Sequence, residues 1–303
     1  MRVEVRRNYP VKSLTSFKIG GSAENFYLPK SVEELIFLLE RVDNPQVFGS
    51  WSNVLVSTSG IKGDIISTQE LKEVKIDGTK VVAQCGVKGP SISRDAANYG
   101  LSGFEFMSGF PGSIGGNIYM NAGANNQCIS DYLEKIRVFE LSTKKIFEIK
   151  RDELEFGYRT SLLQKKDYIV LDAEFNLEKS DKVSVLKRIQ NNLDFRAQHQ
   201  PNLSKPNAGS VFKNPKGTCA GKLLDDVGAK EFSYNSARVW ANHANFIVNY
   251  DKKATSTDIL ELMLKMYNAV LEKYNVKLYP EIKYFGEKSN REEEIWNVLY
   301  NQK

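Results

Sequence analysis

From Ser108 to Ala124 the chain reads Ser-Gly-Phe-Pro-Gly-Ser-Ile-Gly-Gly-Asn-Ile-Tyr-Met-Asn-Ala-Gly-Ala, five glycines and one proline in seventeen residues. Residues without a Cβ leave backbone N–H groups uncovered and admit positive φ, the two properties with which a main chain closes on a phosphate or a flat ring. Tight turns between strands use the same residues, so a cofactor loop and a pair of turns are both open readings. Two nucleotide-binding signatures are excluded. The chain has no G-x-x-x-x-G-K-[ST] and no G-x-G-x-x-G passing from a strand into a helix.

With 303 residues, 41% hydrophobic and 26% charged, the chain is long enough for two domains and has the composition of an ordinary folded protein. Its net charge of +5 balances 42 Lys and Arg against 37 Asp and Glu, alternating in sign along the chain. No basic stripe with interleaved aromatics occurs, so an anionic small molecule is expected and nucleic acid is not. The N-terminus carries charges without an apolar h-region, and no apolar run approaches the roughly 18 residues of a membrane span. A cytoplasmic location without membrane association is the expectation. Cys85, Cys128 and Cys219 are too widely spaced for a disulfide framework or a zinc knuckle, and His199 and His243 are the only histidines. Neither a metal centre nor a Ser-His-Asp hydrolase is expected.

Short β-rich runs at 47–48, 54–57, 65–66, 74–76 and 81–85, separated by glycine loops, predict a mixed α+β region after a helix that starts at the capping box Ser31-Val-Glu-Glu34. Gly49, Ser50, Ser52 and Asn53 sit between two of those strands, where they either hold a pyrophosphate or simply turn the chain. Pro90 and Gly100 bracket a second helix that leads into the glycine-rich stretch. Strands follow at 136–141, 145–149 and 168–175, and between them stands Phe156-Gly-Tyr158-Arg159-Thr-Ser161. An arginine there is either a bidentate carboxylate or phosphate clamp, or a surface side chain packed on Tyr158.

Val183, Val185, Leu186, Ile189, Leu193 and Phe195 recur at helical spacing, so a helix with an apolar face is expected from Ser180, ending at a domain boundary. After a Pro/Asn-rich connector comes Ala208-Gly-Ser210-Val-Phe-Lys213-Asn214-Pro215. Ser210 is either a proton donor beside a cation and an amide or a hydroxyl that caps a turn; without G-x-S-x-G a nucleophilic role fits poorly. A helix over 258–274 places Met263 and Met266 in a core, 278–284 reads as a strand entered through Pro280 with Glu281 beside it, and the charged tail from Glu287 reads as peripheral.

Five of these clusters, Thr15-Ser-Phe-Lys-Ile-Gly-Gly21, Pro111–Gly116 with Asn121–Gly123, Phe156–Arg159, Gly209–Pro215 and Tyr279–Glu281, stand in the order and approximate spacing of the UDP-N-acetylenolpyruvoylglucosamine reductase family, the UDP-N-acetylmuramate dehydrogenases. The resemblance spans nearly the whole chain. It implies a two-lobed FAD-binding domain of the PCMH/vanillyl-alcohol-oxidase type over 1–197, with lobes of about 1–77 and 78–197. A smaller α+β substrate-binding domain follows over 198–303. FAD would lie between the lobes, with Gly49, Ser50, Ser52 and Asn53 toward its pyrophosphate. Pro111, Gly112, Ser113, Gly115, Gly116, Asn121 and Gly123 would line its ring. The strand that resumes by Tyr168 leaves no room for a long substrate-covering insertion, so the chain resembles the shorter, type II form.

The implied reaction reduces UDP-N-acetylglucosamine enolpyruvate with NADPH through FAD, in peptidoglycan precursor synthesis. Hydride adds to the terminal vinyl carbon and charge builds on the carboxylate, which Arg159 would neutralise. Ser210 would protonate the internal carbon, helped by Lys213. Glu281, a second anion, must be protonated or paired with Arg159. Tyr158 and Asn214 would bind substrate. Three rival classes are a flavin oxidase of the same fold, with Cys128 as the one nearby residue for a covalent tether, a non-enzymatic binding module, and a nucleotide-sugar transferase.

Overall fold

A computed structural model describes residues 3–202 and 204–301. Contacts divide the chain into two units that are discontinuous in sequence. One comprises the chain start up to Arg6, Asn25–Ser50 and Gly63–Arg196; the other comprises Arg7–Glu24, Trp51–Lys62 and the chain from Ala197. This differs from the cut at 77 and 197: the segments around 7–24 and 51–62 go with the C-terminal part. Strands Val5–Pro10, Ser22–Tyr27 and Ile61–Ser67 each span a point of this division along the chain.

In the first unit, helix α1 (Val32–Arg41) is capped by Ser31, whose Oγ accepts the Glu34 N–H at 3.2 Å. The box is only half formed, because the Glu34 carboxylate accepts from Lys30 N–H at 2.7 Å, one residue earlier than expected. Helix α2 (Gly89–Asn98) carries Pro90 in its first turn and runs to Gly100, φ +67°. The six-residue α3 (Ile114–Tyr119) lies inside the glycine-rich stretch. An antiparallel five-stranded sheet has the strand order 145–150, 133–140, 168–176, 80–84, 74–77. Its inward residues, among them Ile136, Val138, Phe175 and Ala83, share a core with Leu35, Leu39, Ile92, Ile114 and Ile118.

Helix α4 (Lys182–His199) forms as expected, but its apolar face does not. Val183 is 73% exposed and Phe195 53%, and Val185 is the one buried residue along it. Polar side chains hold this helix instead: Arg188 bonds the buried Glu105 and Asn192 bonds the Glu105 carbonyl. Apolar spacing gave the right element and the wrong face, because a stripe interrupted by so many charges has no apolar surface opposite it.

In the second unit, α5 (Ala220–Asp226) ends before Gly228, φ +71°, and α6 (Ser256–Tyr274) starts at a reciprocal capping box of Thr255 and Asp258. Met263 and Met266 are fully buried, as the spacing requires. Two expectations need correction. The strand is confined to Lys283–Phe285, parallel to Val54–Val56, while Pro280 makes a single bridge to Phe212; a proline cannot extend a ladder through its missing N–H. The tail is not peripheral either. It forms α7 (Asn290–Leu299), capped by Ser289 and Glu292, with Ile295 and Leu299 fully buried. The run Arg-Glu-Glu-Glu hides an apolar i, i+4 pair that has a core to enter.

Candidate functional site

In the first unit the glycine-rich stretch is strung along the exit of strand 80–84. Gly115 N–H donates to Cys85 O at 2.8 Å, Ile114 N–H to Val87 O at 2.8 Å and Gly89 N–H to Gly112 O at 2.9 Å. Packing about these glycines is close: a Cβ on Gly49 would stand 2.0 Å from the Ser113 hydroxyl and one on Gly112 1.9 Å from the Asn117 amide oxygen, while one on Gly123 would meet the Gln127 carbonyl at 2.4 Å. Asn121, at φ +43°, donates through Nδ2 to Gly157 O at 3.0 Å and so ties the 156–161 segment to the stretch. Ser161 Oγ and Gln164 Nε2 add bonds to the Tyr119 carbonyl at 2.9 and 2.8 Å, satisfying the end of α3.

Gly157 and Thr160 exchange backbone hydrogen bonds of 3.1 and 3.3 Å around a two-residue turn of Tyr158 and Arg159, with Arg159 at φ +56°. A non-glycine residue in the left-handed region is strained backbone, of order 1–3 kcal/mol, and here the turn, Gln164 and Asn121 hold it. The Arg159 guanidinium reaches back to Gly123 O at 3.1 Å and lies 5.1 Å from the Tyr158 ring, while Tyr158 itself is 54% exposed.

Three buried polar atoms around this stretch have no hydrogen-bond partner: Ser50 Oγ, Ser113 Oγ and Asn121 Oδ1. Buried polar groups are almost always paired, so these point to a ligand that supplies both acceptors and a donor. A flavin dinucleotide meets that requirement, with phosphate and carbonyl oxygens for the hydroxyls and a ring N–H for the amide oxygen.

In the second unit Ser210–Asn214 runs between two neighbours. Ser210 bridges Phe246 and Phe212 bridges Pro280; Glu281 N–H donates to Val211 O at 2.8 Å and Lys213 N–H to Tyr279 O at 2.9 Å. Glu281 therefore lies opposite Val211, one position from Ser210. Asn245, 3% exposed, locks the run from the other side: its Oδ1 accepts Phe212 N–H at 3.0 Å and its Nδ2 donates to Phe212 O at 2.8 Å. Lys283 is partly buried beside Lys213, and burial first, then Lys213, lower its pKa. Asn214 Oδ1 accepts the Ala220 N–H at 3.0 Å ahead of α5.

The sequence-derived residues thus fall into two groups. Gly49, Ser50, Pro111, Gly112, Ser113, Gly115, Gly116, Asn121, Gly123, Tyr158 and Arg159 belong to the first unit; Ser52, Asn53, Ser210, Lys213, Asn214 and Glu281 belong to the second. Asn53 is a structural bridge, its Nδ2 donating to Glu281 O at 3.1 Å and its carbonyl accepting Lys283 N–H at 3.0 Å. Cys128 is a poor tether: burial raises its pKa, and its thiol donates to Asp131 Oδ1 at 3.1 Å. Sequence reasoning missed Asn245 and Lys283. An Asn inside the apolar run Ala244–Val248 was a usable signal, since a buried amide in a strand must be satisfied.

The chain matches the model of the UDP-N-acetylenolpyruvoylglucosamine reductase C-terminal domain over residues 200–285, and that of an FAD binding domain over residues 23–149. A UDP-N-acetylenolpyruvoylglucosamine reductase of Caldanaerobacter subterraneus is 40% identical over 285 residues, 93% of each chain. One from Caldicellulosiruptor bescii is 38% identical over 94% of this chain and 92% of its own. The crystal structure of the Thermus caldophilus UDP-N-acetylenolpyruvylglucosamine reductase superposes with a TM-score of 0.80 at 31% identity, over 94% of this chain and 99% of that one. The chain therefore belongs to the UDP-N-acetylenolpyruvoylglucosamine reductase family.

Proposed function

We propose that this chain reduces the enolpyruvyl ether of UDP-N-acetylglucosamine to the lactyl ether, with NADPH as reductant, in the cytoplasmic supply of peptidoglycan precursors. Family membership and the FAD binding domain make it an FAD-containing oxidoreductase. The observation that carries the reading is the set of unpaired buried atoms, Ser50 Oγ, Ser113 Oγ and Asn121 Oδ1, gathered about the glycine wall of residues 109–123. Gly49, Ser50, Pro111–Gly116, Asn121 and Gly123 would hold the cofactor. FAD, when bound, supplies two-electron hydride chemistry.

The chain's own residues do the rest. Arg159, held in a strained turn, offers a planar fork to the substrate carboxylate and stabilises the negative charge that develops there. Ser210 delivers a proton to the internal carbon of the former double bond, and Lys213 stabilises the alkoxide left behind. Glu281, one position away across the bridged segments, orients Ser210. Tyr158 and Asn214 are placed for contact with the substrate.

Anaerobic spectroscopy tests the reading. Purified protein is expected to show flavin absorbance that NADPH bleaches and the enolpyruvyl sugar nucleotide restores. Bleached protein that the sugar nucleotide leaves colourless overturns the substrate assignment. Protein that binds no added FAD overturns the reading as a whole.

A further inference from the structure

Helix α4 turns three long polar side chains, Arg188, Asn192 and Arg196, at i, i+4 and i+8 toward residues 102–125. Two of them are fully used. Arg188 forms an ion pair with the buried Glu105 at 2.8 Å and bonds Ser102 Oγ at 3.0 Å. Asn192 donates to Glu105 O at 2.9 Å and accepts from Asn125 at 2.8 Å.

Arg196, the third, crosses the glycine-rich stretch. A Cβ on Gly109 would stand 2.2 Å from Arg196 Cδ and 2.6 Å from its Nε, so this arginine explains why residue 109 is glycine. Burial pushes the guanidinium down to about 10, with no hydrogen bond or charge opposing that shift. Among the described residues, Arg196 has neither an acceptor nor a counter-ion. Removing a charge from water without a partner is unfavourable, and a methionine would cover Gly109 without that cost. A guanidinium retained in such a place points to an anion that arrives with the ligand.

We propose that Arg196 binds an oxyanion of the ligand received by the Gly109–Gly123 stretch, either a phosphate of the flavin dinucleotide or the diphosphate or carboxylate of the sugar nucleotide. This rests on the function proposed above. The three side chains of α4 then divide the labour: Arg188 and Asn192 fix the helix to the stretch, and Arg196 carries charge to its open face.

Arg196→Met, which keeps the packing over Gly109, separates this from a spacer role. The dissociation constant of FAD is read by flavin fluorescence on apoprotein, and that of the sugar nucleotide by calorimetry on holoprotein. One of the two is expected to rise about 10- to 100-fold, the loss typical of a hydrogen bond to a charged group. A rise for FAD assigns the cofactor phosphate; a rise for the sugar nucleotide alone assigns the substrate anion. Arg196→Ala is expected to recover affinity with added guanidinium but not with equal potassium chloride. Arg196→Lys keeps the charge and loses the fork, so it should fall between, and it carries the test if the methionine variant does not fold. Both constants within twofold of the parent protein would overturn the role of Arg196 alone, whereas parent protein that binds neither ligand overturns the proposed function with it.

Discussion

The two groups of candidate residues, one in each unit, achieve rigidity by opposite means. Around Gly109–Gly123 the main chain is held by backbone hydrogen bonds, and at Gly123 neighbouring backbone leaves no room for a Cβ. Around Ser210–Glu281 it is fixed by amide side chains that stand in for missing ladder partners, the buried Asn245 on one flank and the half-buried Asn53 on the other. The first arrangement leaves Ser113 Oγ and Asn121 Oδ1 unpaired, whereas the second uses both polar atoms of the Asn245 amide. On the proposed function, a surface that admits a flat, hydrogen-bonding molecule needs vacant donors and acceptors, while Ser210, proposed to move one proton, needs an immobile platform.

That contrast is most exposed to attack through turnover. Arg159→Met is expected to lower kcat/KM about 10²- to 10³-fold, the usual cost of losing one preorganised charge-stabilising group. Ser210→Ala should slow re-oxidation by the sugar nucleotide about 10²- to 10⁴-fold while reduction by NADPH keeps its rate. Stopped-flow measurement of the two half-reactions decides. Equal slowing of both halves by Ser210→Ala would remove the division between a charge-bearing half and a proton-bearing half.

Next in size is Asn245→Leu, which leaves the Phe212 N–H and C=O unsatisfied in a buried site. At about 1–3 kcal/mol for each unsatisfied group, a loss of about 2–5 kcal/mol is expected in urea unfolding. Gly123→Ala should cost about 1–3 kcal/mol, since its Cβ would meet Gln127 O at 2.4 Å and the resulting shift would move the Gly123 carbonyl, which accepts from Arg159. Here the FAD dissociation constant should move more than stability does. Stability loss without loss of FAD affinity would make the glycine wall merely structural.

The smallest effect concerns the link between α4 and the glycine-rich stretch. Burial raises the Glu105 pKa, but the Gly103 N–H, its own backbone, Ser102 and Arg188 together outweigh this and bring it below the ordinary glutamate value of 4.5. A depressed carboxylate contributes its stability above the unfolded pKa and loses it as pH falls through the folded value. Unfolding curves from neutral pH to below 4.5 should therefore show a pH-dependent loss that Glu105→Gln flattens.

Much of this was legible in the sequence. The glycine-rich stretch, the short strands of 74–84 and 133–176 and the core positions of α6 follow from local rules, because period and turn chemistry act on neighbouring residues. The half-formed box at Ser31, the exposed face of α4 and the buried α7 were not legible. Each depends on what surface lies opposite, which local pattern does not contain. The failed strand at 278–284 shows the same limit from the backbone side: apolar alternation survives Pro280, but the ladder does not.

By itself the sequence determined which stretches lack side chains, where the turns fall, and, through five clusters in register, to which family the chain is similar. Only the tertiary structure decided that Asn121 and Gly123 hold the Arg159 turn, that Asn53 bridges to Glu281, and that Arg196 lies over Gly109 with no partner among the described residues. Covalent order fixes which groups exist. Which of them are deprived of water, and which then find a partner, is settled only when segments far apart in the chain are packed together.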